Sequence, residues 1–222
     1  MKNIIITKKF WDKKNYKNLN KKFEIKNKLE KKFIQKNNPK YIFFIHWSKL
    51  IPENIYKNYN CIQFHSSNLP RGRGGSPIQN QILNGSKNTL LCAFRVGKKI
   101  DSGPIYLKKK LNLNGTAHEI FVRMEKKAID MVKIINKKKI IPKKQIGKPT
   151  YFKRRVSNQS NIFNTKFNNL NELYNFIRML DAESYPKAFI KIKNIKFEFY
   201  NVIKKRNKLI SNILIKNENK NK

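Results

Sequence analysis

Residues 61–77, Cys61-Ile-Gln-Phe-His-Ser-Ser-Asn-Leu-Pro-Arg-Gly-Arg-Gly-Gly-Ser-Pro77, restrict the fold more than any other stretch. A short apolar run carrying a histidine stops at Pro70, opens into a loop with glycines at 72, 74 and 75, and meets a helix start at Pro77. Read as a buried strand, 61–65 alternates its side chains, so Gln63 and His65 point the same way. The glycines permit torsions that other residues resist and remove the Cβ atoms that would hold a ligand away. Ser76 reads as a helix cap and Pro77 as the first helical residue. Free N–H groups there, together with Arg71 and Arg73, suit an anionic substrate.

The flanking sequence repeats the same grammar. Residues 3–7 read as a strand, 8–24 lack clear periodicity, and 25–36 read as a helix. Tyr41-Ile-Phe-Phe-Ile45 follows Asn-Pro and is apolar throughout, the pattern of a central parallel strand. A short helix to about Tyr56 separates it from the strand at 61–65. Strand, helix, strand, helix, strand implies an α/β fold, an open, Rossmann-like, mostly parallel sheet that binds ligands beyond its carboxyl ends. Helix 77–83, strands 89–96 and 105–113 and a long helix over 116–136 follow, the last opened by Thr116-x-x-Glu119 as a capping box. The domain reading is a catalytic domain over 1–136 and a basic linker over 137–150. A small carboxyl-terminal α+β appendage over 151–215 and a disordered tail over 216–222 complete it.

At 222 residues and 39% hydrophobic content the chain suffices for one substantial core. No run approaches the ~20 apolar residues of a membrane span. The amino-terminal apolar segment is too short for a signal peptide, and Cys61 and Cys92 suggest neither a disulfide scaffold nor a zinc site, so the cytosol is the expected compartment. The formal charge of +38 invites a nucleic-acid partner. Yet only eight of 51 basic residues are Arg, and the lysines spread end to end beside abundant Asn and Ile, the residues AT-rich codons favour. No recognition helix, zinc finger or aromatic RNA-binding strand pair accompanies them. The charge therefore reads as genome drift with weak polyanion binding.

Downstream of the glycine loop stands Asp101-Ser-Gly-Pro-Ile105. The two segments together resemble the formyltransferase family that uses 10-formyltetrahydrofolate, whose site pairs Asn-x-His-x-Ser-Leu-Leu-Pro and a glycine loop with a later Asp-x-Gly-Pro-Ile. His65 and Asp101 fall on the family histidine and aspartate. Gln63 stands where the family has asparagine, and Asn68 is the other carboxamide near that place. The resemblance extends roughly from Tyr41 to Phe199 and is nearest to a small branch, of the pseudaminic acid pathway type, that formylates nucleotide-linked amino sugars. It implies that the segment 46–52, with His46, Trp47 and Ile51, lines a pterin pocket. The expected acceptor side comprises Arg73, Gly75, Ser76 and Arg178.

Formyl transfer needs a neutral amine near the formyl carbon, a donor for the developing oxyanion and a proton route to the departing folate nitrogen. His65 is expected to stabilise the oxyanion and move the proton. Asp101 is expected to hold His65, with Gln63 or Asn68 polarising the formyl group and no metal involved. The blander alternatives are a buried histidine bonded to backbone and a turn-forming aspartate. The expected substrate is the primary amine of a nucleotide-linked amino sugar, from the paired motifs and from a chain short of the length needed for the larger domain that methionyl-tRNA enzymes use on tRNA. Competing readings keep the donor and change the acceptor to methionyl-tRNA or water, or make the chain a non-enzymatic RNA-binding protein. A homodimer stays open.

Overall fold

The structure, a computed structural model, describes residues 2–17, 19–183 and 185–218. The first half alternates strands and short helices: β1 (Asn3–Thr7), β2 (Phe23–Lys26), α1 (Lys31–Asn37), β3 (Tyr41–Ile45), α2 (Glu53–Tyr56) and β4 (Asn60–His65). Next come β5 (Arg73–Gly74), α3 (Pro77–Leu83), β6 (Asn88–Arg95), β7 (Ile105–Asn112) and α4 (Ala117–Lys137). The remainder holds β8 (Tyr151–Phe152), α5 (Leu170–Arg178), β9 (Ala188–Ile192), β10 (Ile195–Lys204) and β11 (Leu209–Asn217).

Six strands form one sheet in the order β2-β1-β3-β4-β6-β7. The pairs β2/β1, β1/β3 and β3/β4 are parallel, and β4/β6 is antiparallel. The apolar runs explain the centre. Ile4, Ile5, Ile6, Ile42, Phe43, Phe44 and Ile45 are all at most 1% exposed, and each such side chain contributes roughly 1.5–3 kcal/mol of burial. Only strands covered on both faces have that composition. The fold is thus the open, mostly parallel α/β sheet expected from the sequence, with a small carboxyl-terminal strand region.

Two strands escape periodicity arguments. Phe23-Glu-Ile-Lys26, expected as the end of an aperiodic stretch and the start of a helix, is the parallel edge strand β2, and α1 begins only at Lys31. Four residues flanked by lysines are too few to show alternation, yet Phe23 is 2% exposed beside β1. Strand β11 replaces what reads as a Lys/Asn tail. It pairs antiparallel with β10 through to Ile195↔Asn217, so residues 216 and 217 belong to a strand, while residues 219–222 lie outside the described ones. A register shift between Tyr200 and Ile203 lets β10 run past the point where its pattern breaks, and Asn201 takes φ +51° there.

Packing divides the chain into two units. The first comprises Met1–Gly74, Thr89–Leu111 and Phe121–Phe152; the second comprises Gly75–Asn88, Asn112–Ile120 and Lys153–Lys222. The stretch 137–150 belongs to the first unit rather than linking two domains, and Ile105 and Lys143 exchange backbone hydrogen bonds of 2.7 and 2.9 Å. In the second unit β9, β10 and β11 form a three-stranded antiparallel sheet. Among the described residues no helix is long and apolar enough to cross a membrane.

Helix α4 begins as its sequence predicts, with Glu119 N–H donating to Thr116 Oγ1 and Glu119 Oε2 accepting from Thr116 N–H. Its Glu125 is fully buried. That carboxylate accepts from the N–H groups of Trp11 and Asp12, from Asn15 Nδ2 and from Tyr16 Oη at 2.9–3.1 Å, fixing the segment after β1. Glu125→Ala should leave these donors without an acceptor and cost about 3–4 kcal/mol. Urea unfolding monitored by tryptophan fluorescence measures this, and a loss below ~1 kcal/mol would contradict the anchoring role.

Candidate active site

Parallel strands bring their carboxyl ends to one edge, and β1, β3 and β4 finish there in register, with Thr7 beside Ile45 and Phe44 beside Gln63. His65, the last residue of β4, is 7% exposed. Its Nε2 lies 2.7 Å from Gly72 O and its Nδ1 lies 3.5 Å from Asp101 Oδ2. An oxygen therefore waits at each ring nitrogen. A neutral imidazole has one N–H for the two, whereas an imidazolium has one for each, so the arrangement accommodates a proton arriving on the ring.

Asp101 sits at φ +49°, a left-handed conformation unusual for a residue with a Cβ, and its Oδ2 also accepts from Gly74 N–H at 2.8 Å. The glycine loop reaches it because two positions demand glycine. At Gly72 (φ +71°) a Cβ would lie 2.5 Å from the Phe152 ring, and at Gly74 (φ +96°) one would lie 2.5 Å from Phe152 O. Gly72 N–H donates to Thr150 Oγ1 and Arg73 N–H to Thr150 O, so the stretch after α4 straps the loop down.

The segment after β3 is aromatic and tightly held. Gln63 Nε2 donates to Trp47 O at 3.0 Å, tying the strand that carries His65 to this segment. His46 adopts φ +50° and meets the Phe121 ring edge-on at 5.8 Å. As a residue it keeps partial exposure, but its Nε2 and the Trp47 Nε1 are shut from solvent without a hydrogen-bond partner among the described residues. Burial, reinforced by Lys9, pushes the His46 pKa down to about 3, so the ring is neutral at ordinary pH. Ile51 is 7% exposed, within a core cluster that Trp47 packs against.

The residues expected on the acceptor side are mostly committed elsewhere. Arg73 is 9% exposed and donates to Gln145 Oε1 and Tyr151 Oη rather than standing open to an anion. Arg178, in the second unit, is 7% exposed and donates to the carbonyls of Leu113 and Gly115 and to Asn175 Oδ1, closing the turn into α4. Gly75 serves packing, since a Cβ there would lie 2.5 Å from Arg154 Cα. Ser76 takes φ +49° and makes no side-chain cap; its Oγ accepts from Arg155 N–H instead. Asn68 is exposed, and its side-chain oxygen accepts from Lys108 Nζ at 2.8 Å. Of the two carboxamides, Gln63 is the one on the strand that carries His65.

Sequence reasoning missed Gln145, which lies in a basic, proline-flanked stretch with no periodicity to mark it. Its Nε2 donates to both Asp101 O and Gly103 O at 2.8 Å. Among the described residues no group of three or more His, Cys, Asp or Glu is arranged to hold a metal ion.

The formyl transferase family matches residues 3–134, and the methionyl-tRNA formyltransferase C-terminal domain family matches residues 157–216. A methionyl-tRNA formyltransferase from Malacoplasma penetrans is 31% identical over 159 residues, covering 68% of this chain and 49% of that protein. The chain spans about half the length, or less, of the curated relatives it matches. A solved structure, a methionyl-tRNA formyltransferase from Clostridium thermocellum, superimposes with a TM-score of 0.92 at 40% identity, covering 98% of this chain and 100% of that one. A sugar N-formyltransferase from a Shewanella species shares the fold, with a TM-score of 0.66 and 16% identity over 87% of this chain and 93% of that one.

The neutral His46 has a consequence for stability. Its folded pKa lies below the unfolded value of 6.5. As pH falls from 6.5 towards 3 the unfolded chain takes up a proton here and the folded chain does not, so stability falls across that window. His46→Phe should flatten the decline, by roughly 1–2 kcal/mol between pH 7 and 5. Urea midpoints at the two pH values report it, and equal declines in variant and wild type would refute it.

Proposed function

Because the chain belongs to the formyl transferase family, we propose that it transfers a formyl group from 10-formyltetrahydrofolate to a primary amine. The observation that carries this reading is the His65–Asp101 pair at the carboxyl end of β4, with an oxygen at each imidazole nitrogen. The donor fits the residues present. The buried nitrogens of His46 and Trp47 lack partners among the described residues, beside apolar Ile51, and a flat ring with hydrogen-bonding edges suits such a surface. When bound, the folate supplies a formyl carbon attached to a nitrogen able to leave.

The chain's own residues then handle protons and charge. With Nδ1 turned to Asp101, His65 works through Nε2, which the substrate takes over from Gly72 O. As the free base it receives the proton the amine loses, and the N–H so formed then donates toward the oxygen that has gained charge. Asp101 orients the ring through Nδ1. His65 returns the proton to the departing nitrogen, so the pair ends as it began. Gln63 holds the Trp47 segment and lies on the side of β4 that carries His65, which suits it to polarise the formyl group.

Two acceptors have support. The amino group of methionyl-tRNA is favoured by the names of the relatives at 31% and 40% identity and by the match over residues 157–216. The charge of +38 also suits a polyanion. An amine on a nucleotide-linked sugar is the second reading. Its support is the shared fold alone, since the Shewanella sugar enzyme superimposes with a TM-score of 0.66 at 16% identity.

Purified protein given 10-formyltetrahydrofolate and either methionyl-tRNA or a panel of UDP- and dTDP-amino sugars should yield an N-formyl product with one class. His65→Asn should lower kcat by about 10²–10⁴-fold. Absence of product with every acceptor, or an unchanged rate in the variant, would overturn the reading.

A further inference from the structure

We propose that Gln145 is a positioning residue for the His65–Asp101 pair, an assignment that rests on the formyl-transfer reading. The two catalytic candidates arrive on separate segments. His65 ends β4, while Asp101 lies in the connection between β6 and β7 at φ +49°. The Asp101 carboxylate is held from one side by Gly74 N–H, on the glycine loop. A second tie between the Asp101 turn and that loop runs through one carboxamide.

Gln145 Nε2 has two hydrogens, and they go to the carbonyls of Asp101 and Gly103, each at 2.8 Å. Its Oε1 accepts from Arg73 Nη2 at 2.7 Å and Nε at 3.3 Å. Arg73 is the immediate neighbour of both Gly72, whose carbonyl meets His65 Nε2, and Gly74, whose N–H meets Asp101 Oδ2. The carboxamide thus joins the segment carrying the aspartate to the segment touching both members of the pair. Its own place is fixed two residues earlier, where Lys143 and Ile105 exchange backbone hydrogen bonds. Only an amide of this length offers two N–H groups to carbonyls and one oxygen to a guanidinium. An ammonium has no acceptor for Arg73, and a carboxylate has no hydrogen for the carbonyls.

Loss of the clamp leaves His65 and Asp101 in the chain but frees the turn between them, and displacements near 1 Å in such a pair reduce the chemical step by about 10²-fold. Gln145→Ala should therefore lower kcat by roughly 10–100-fold, with the KM for 10-formyltetrahydrofolate changed less than about threefold. Gln145→Glu keeps the arginine contact and can donate to a carbonyl only when protonated. Beside Arg73 that carboxyl stays ionised at assay pH, so Gln145→Glu should lose kcat much as Gln145→Ala does. Amide hydrogen exchange at Gly74, read by mass spectrometry or NMR, should accelerate in Gln145→Ala, because that N–H loses its fixed acceptor.

Wild-type kcat in Gln145→Ala or Gln145→Glu, or unchanged Gly74 exchange in Gln145→Ala, would each overturn the assignment. If wild-type protein formylates no acceptor, the formyl-transfer reading fails by itself. The exchange at Gly74 still decides whether Gln145 holds the Asp101 turn.

Discussion

The Asp101 carboxylate is the point at which separate parts of the first unit meet. Its Oδ2 takes the Gly74 N–H at 2.8 Å and lies 3.5 Å from His65 Nδ1, so one oxygen atom relates a strand end, a glycine loop and a left-handed turn. Each approach requires a missing Cβ. Gly72 and Gly74 let the loop pass Phe152, and a Cβ at Gly103 would lie 1.7 Å from Arg95 O. A substitution at any of the three displaces a wall of the site before it touches a reacting group.

Much of this could be read in advance. The parallel centre was legible because Tyr41–Ile45 and the first strand are apolar at successive positions, a pattern with few structural solutions. His65 and Asp101 were marked by the resemblance of their segments to the family motifs, with Pro70, the glycines and Ser-Gly-Pro as local punctuation, and the structure sets their side chains 3.5 Å apart. The rest depended on partners that no local pattern reveals. Arg73 and Arg178 look like anion ligands in a string of letters, yet both guanidiniums are committed to groups of the protein itself. Strand β2 was too short to announce its period, β11 was masked by lysine and asparagine, and Gln145 has meaning only beside Asp101, 44 residues away.

The charge distribution adds a second theme. A chain with 13 acidic residues against 51 basic ones places several of the few it has in its interior. Glu125 gathers the segment after β1, and Asp181 accepts from Lys187 Nζ and Asn201 N–H. Glu198 lies between Lys196 and Lys216; burial raises its carboxyl pKa, but the two ammonium groups outweigh that and hold it below the usual range. Negative charge here organises loops and hairpins, and the positive excess is left to the surface. Carboxylates used in this way are poor candidates for exchange, whereas most lysines are not.

The interleaving of the two units bears on the history of such chains. Because the second unit takes residues 75–88 and 112–120 from within the span of the first, no single breakpoint separates them. A gene fusion or a crossover at one junction could neither add nor delete the second unit whole. Exchanging it would also cut into α3 and the start of α4, which stand within the sequence span of the first unit.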